Sequence, residues 1–116
     1  MIKQLVLNSL FVTTAFSANV IAKCDITGLW EHSSKPAKLF VDLDKGEISV
    51  QSHEDNVKAI GLVVLKGLKL DSSKSFWNGK MYSAAEDSFV DVQILPSSCN
   101  QLSVRFKNEE ILGLLR

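Results

Sequence analysis

The chain has 116 residues, 46% of them hydrophobic and 22% charged, with 13 Lys and Arg set against 13 Asp and Glu. That length allows one small domain with one modest core. The even charge balance, with no basic stripe, excludes the electrostatic footprint of a nucleic-acid or anionic-membrane binder.

Residues 1–22 read as a secretory signal peptide. Lys3 precedes an apolar run over 5–16, and the segment closes on Val20-Ile21-Ala22, where a signal peptidase reads small or apolar residues. Asn8, Ser9, Thr13 and Thr14 interrupt the run, which is too short to span a membrane; an uncleaved anchor is the alternative. Lys23 before Cys24 argues against lipid attachment, which wants a small residue there. The expected mature domain is therefore 23–116, periplasmic or secreted, with no stable membrane insertion after cleavage. Without Lys3 it carries 12 Lys and Arg against 13 Asp and Glu. Cys24 and Cys99 sit near the two ends of that domain. In an exported chain such a pair reads as a disulfide; two free thiols or a metal pair is the rival reading, with only His32 and His53 at hand to help bind zinc.

The mature chain reads as strands. Gly28-Leu29-Trp30-Glu31-His32 is a first strand entered through a glycine, and Pro36 breaks the chain after it. Residues 37–43 place Leu39, Val41 and Leu43 on one face, Asp44-Lys45-Gly46 turns, and 47–51 alternates with Ile48 and Val50 inward. Residues 57–65 are apolar on both faces and read as a central or crossing strand bent at Gly61, with a buried helix as the competitor. Residues 68–75 read as a polar link. Strands are expected over 76–82 and 88–95, with Asn78-Gly79 as a hairpin turn flanked by Trp77 and Tyr82, and with Pro96 as a stop. Leu102, Val104 and Phe106 alternate in the next strand, Asn108-Glu109 turns, and 111–115 closes the series. About eight short strands without a convincing helix predict an all-β fold, a small antiparallel barrel or sandwich.

Several of these residues resemble a known family. Gly28-x-Trp30, Gly61, Leu65-Lys66-Gly67-Leu68-Lys69, Phe76-Trp77-Asn78-Gly79-Lys80-Met81-Tyr82, Val92-x-Ile94 and Leu102-x-Val104-Arg105 look like the pattern of DUF2147, bacterial exported domains of unknown function. The resemblance covers most of the mature chain. It implies an up-and-down, lipocalin-like β-barrel in which Arg105 or Arg116 stacks over Trp30 at a closed end. It implies no activity. The chain departs from the pattern at Ser83-Ala84, where the family has Asp-Pro, and after Gly113, where the family has Trp-x-Arg. The Cys24/Cys99 pair is also not a family requirement.

No nucleophile elbow, phosphate loop, HExxH or dinucleotide fingerprint occurs, so neither an enzyme nor a cofactor or metal site is expected. His32 and His53, 21 positions apart, read as surface histidines. Glu54-Asp55 and Glu86-Asp87 are acidic pairs in loops and do not read as catalytic pairs, because adjacent residues on a strand point to opposite faces. Trp30, Phe76, Trp77, Tyr82 and Phe89 are the candidate lining of a ligand cavity, against the plainer reading that they form the core; Gly28, Gly61, Gly79 and Arg105 are candidate structural positions. Two functions follow. One is a binding module for a small apolar or amphipathic molecule, held inside the barrel or at its mouth. The other is a protein-interaction or inhibitor module acting through surface loops, 71–75 and 84–87 being the candidates.

Overall fold

The computed structural model describes residues 24–116, so the expected signal peptide and its expected cleavage site lie outside the described residues. Eight strands run in chain order: β1 Gly28–His32, β2 Ala37–Asp42, β3 Glu47–His53, β4 Val63–Leu70, β5 Trp77–Ser83, β6 Ser88–Ser98, β7 Gln101–Phe106 and β8 Glu109–Leu115. Each pairs antiparallel with the next, and β8 returns to β1, giving a closed up-and-down barrel. The closing seam is short: Glu31 pairs with Leu115 and His32 with Leu114, extended by the Ser33 amide donating to the Gly113 carbonyl at 2.9 Å. Closure removes the exposed edges that make open sheets prone to aggregation.

Alternation dictates what fills the barrel. Val41, Ile48, Leu65, Ile94, Val104 and Leu114 have no solvent exposure and come from six different strands, which is how an eight-stranded barrel packs its middle with side chains. Leu65 and Leu68 both belong to this core although three positions apart, a spacing that puts residues on opposite faces of a regular strand. A register shift between Lys66 and Lys69, with Gly67 at φ +64°, supplies the extra residue that returns Leu68 to the interior.

Four expectations from the sequence need correction. Asn78-Gly79 is not a turn: both residues lie inside β5, where Asn78 pairs with Lys69 and Gln93 and Gly79 pairs with Val92. Gly79 faces inward, where an added Cβ would come within 2.8 Å of the Leu65 side chain, so the glycine serves close packing. The two-residue hairpin turn is instead Lys107-Asn108, both at positive φ, joining β7 to β8. Residues 57–65 are not one strand: Val57–Ala59 is a 3-10 turn, Gly61 ends the connection, and β4 begins at Val63. Residues 68–70 are strand, so the polar link is only 71–76. Finally, Pro96 does not end β6. It sits at a register shift opposite Leu102, where its missing N–H is tolerated.

Candidate functional site

Because the strands alternate in direction, the connections after β1, β3, β5 and β7 gather at one end of the barrel, and those after β2, β4 and β6 at the other. The two ends differ in chemistry.

The second end is sealed. Trp30 is 1% exposed, and its indole N–H donates to the Ile26 carbonyl at 2.9 Å. The Arg116 guanidinium lies 4.2 Å from its ring centroid and donates to the carbonyls of Asp25, Thr27 and Cys99. The Cys24–Cys99 disulfide, with Cα atoms 5.3 Å apart, ties the leading segment to the β6–β7 turn. A bond of this type persists in oxidising compartments and is consistent with export. Of the two arginines expected over Trp30, Arg116 takes the place. Arg105 reaches the Asn108 carbonyl at 2.6 Å and so braces the β7–β8 turn instead.

The first end is open. A depression of about 210 Å³ there has an apolar floor that includes Leu39, Val50, Val64, Met81 and Leu112, and a rim of His32, Lys35, His53 and Asn56. An outer groove of about 330 Å³ adjoins it, lined by Leu62, Val63, Val64, Met81, Tyr82 and Phe89. Leu62, Val64 and Met81 belong to both, so the two form one continuous apolar surface. Beside it the β3–β4 connection leaves Val57 71% and Leu62 59% exposed, with Ile60 also in solvent.

The five candidate lining aromatics do not meet in one cavity. Trp30 belongs to the sealed end. Trp77 is half-buried against the core at the start of β5, and Phe76 is half-buried just before it. Tyr82, 46% exposed, and Phe89, 37% exposed, lie on the outer face. Trp77 and Tyr82 are five residues apart, so they sit on opposite faces of β5 and about 17 Å apart along it; they do not flank one pocket mouth. Tyr82 and Phe89 pack edge to face at 5.8 Å, the Tyr82 hydroxyl donates to Asp87 at 2.7 Å, and the Lys66 ammonium lies 4.1 Å over the Phe89 ring. The groove wall is thus aromatic, with a cation at its edge. Gly28 opens β1.

His32 and His53 are the functional candidates that the sequence left as surface residues. Each is the last residue of an odd-numbered strand, and in an up-and-down barrel such residues finish at the same end; that topology, once assumed, is the signal that pairs them. Each ring is fixed the same way. His32 Nδ1 accepts from the Ser34 and Lys35 amides at 3.1 and 3.2 Å, and His53 Nδ1 accepts from the Asp55 and Asn56 amides at 3.2 and 3.1 Å. Amide N–H groups only donate, so each Nδ1 is unprotonated and each neutral ring carries its proton on Nε2. Burial, then the charges of Lys35 and His53, holds His32 below the ordinary imidazole value of 6.5. With the folded-state value depressed, the unfolded chain takes up the proton first as pH falls. The stability tied to neutral His32 is complete above about pH 6.5 and is lost as pH drops toward the folded-state value. The melting point is expected to fall as pH drops below about 6.5, and to fall less in His32→Asn, whose Oδ1 keeps an acceptor that does not titrate. Identical pH profiles for the two proteins would remove His32 from this account.

Among the described residues, no group of three or more His, Cys, Asp or Glu is placed to hold a metal ion, and no helix is long and apolar enough to cross a membrane. Comparison with protein-family models, with curated proteins and with solved structures found no match to this chain.

Proposed function

We propose that this chain is an exported binding module, of the DUF2147 kind, that holds a small amphipathic molecule at the open end of its barrel. The observation that carries the reading is the continuity of the mouth depression with the outer groove through Leu62, Val64 and Met81. Together they offer the volume typical of small-molecule sites, about 300–1,000 Å³, with an apolar lining and a few polar groups at one side. The packed middle of the barrel directs the ligand to the mouth and away from the interior. The leader-like segment 1–22 and the disulfide support a periplasmic or secreted location. No motif in the sequence supports catalysis, so the role is binding without turnover.

The test is calorimetric titration of the mature domain with ten-carbon single-chain amphiphiles. Saturable binding is expected, weakened at least about tenfold by Leu62→Asp at an unchanged melting point, because a charge placed on the shared wall must lose its water when the chain seats. Absence of binding would favour the second reading, a protein-interaction module. That reading rests on Val57 and Ile60, which project apolar surface beyond the groove and would suit a partner's face, with the loop 84–87 at the same end of the barrel.

A further inference from the structure

The rim of the mouth carries a second kind of information, about the head of the ligand. His32 and His53 both line the mouth depression with Lys35 between them in the fold, since β2 alone separates β1 from β3. With both Nδ1 atoms held by loop amides, the opposite edge of each ring presents an Nε2–H. Neither Nε2 has a hydrogen-bond partner among the described residues. Strands two apart in a sheet lie about 10 Å apart, so two inclined imidazoles can converge on one small group between them. Two neutral N–H donors beside one ammonium match a carboxylate, which accepts through two oxygens and carries one negative charge. The apolar surface beginning at Val64 and Met81 leads away from this rim toward Tyr82 and Phe89, which suits a hydrocarbon tail.

We propose that the mouth is selective for a single-chain carboxylate amphiphile, its head taken by the Nε2–H groups of His32 and His53 with the Lys35 charge nearby and its tail laid in the outer groove. This rests on the binding function proposed above. Asparagine at either histidine position keeps an acceptor where Nδ1 stands, so the loop cap survives, and deletes the Nε2–H donor.

The experiment compares decanoate with 1-decanol, two ligands with the same tail, by calorimetry at pH 8 on the mature domain and on the His32→Asn/His53→Asn double variant. Decanoate is expected to bind the unaltered protein at least about tenfold more tightly than decanol. The double variant is expected to lose that preference, so that decanoate and decanol bind it with similar affinity. Nitrogen NMR of the unaltered protein supplies a readout that does not depend on the variant folding: both Nε2 resonances should move with decanoate, and by more than with decanol, whose neutral oxygen is the weaker acceptor. Equal affinities for the two ligands, or Nε2 resonances indifferent to decanoate, would overturn the carboxylate assignment and leave the binding function standing. Binding of neither ligand would overturn both.

Discussion

Replacing Trp30 by alanine is expected to lower the stability of the domain by about 3–5 kcal/mol, the usual loss on deleting a buried indole. Trp30 is the largest of the fully buried side chains, and its removal does more than open a cavity. The Ile26 carbonyl loses its donor, and the Arg116 guanidinium loses the ring beneath it, a contact worth about 0.5–2 kcal/mol. A domain of this size has a total stability of about 5–15 kcal/mol, so the variant should melt at least about 12 °C lower or fail to fold. Thermal unfolding followed by circular dichroism checks this. Trp30→Phe separates the contributions, since it keeps most of the apolar volume and loses the N–H donor; it should fall between the two proteins. A Trp30→Ala domain as stable as the unaltered one would mean that the sealed end contributes nothing to holding the barrel shut.

Loss of the disulfide is the second large effect. Cys24 and Cys99 are 75 positions apart, and opening a loop of that length frees unfolded-state entropy worth about 4 kcal/mol on the chain-entropy account. The Cys24→Ser/Cys99→Ser double variant, or the unaltered protein in reductant, should therefore melt far below the oxidised form. The bond also holds the segment 24–27 where Arg116 can reach the carbonyls of Asp25, Thr27 and Cys99. The disulfide and Trp30 thus share partners, and their effects should not add: combined with Trp30→Ala, loss of the disulfide is expected to cost less than it does alone. A melting point within about 2 °C with and without reductant would show that the bond constrains nothing that the fold does not already hold.

How much of this was legible in the sequence depends on the range over which each feature is decided. Alternation in β2, β3 and β7 comes from nearest neighbours on one strand, so Leu39, Val41, Ile48, Val50, Leu102 and Val104 point to their inward places without any knowledge of their partners. The number of strands, the all-β class and the Cys24–Cys99 pairing follow from the same local reading. The candidate site does not. Asn78-Gly79 has the chemistry of a turn, and only the approach of Leu65 across the barrel makes Gly79 a packing residue within a strand. The run 57–65 has the composition of a buried strand, yet Val57, Ile60 and Leu62 stand in solvent because β4 starts only at Val63. Composition cannot say which apolar residues the core has room for.

What the sequence determined by itself, then, is a stapled all-β domain, because hydrophobic periodicity and cysteine count act locally or through the covalent chain. What only the tertiary structure decided is which arginine covers Trp30, that Tyr82 and Phe89 face outward while Trp77 does not, and that His32 and His53 share one rim. Those outcomes depend on strand register and on the end of the barrel at which each connection falls. Both are set by how eight strands close on one another, a constraint that no single stretch of the chain contains.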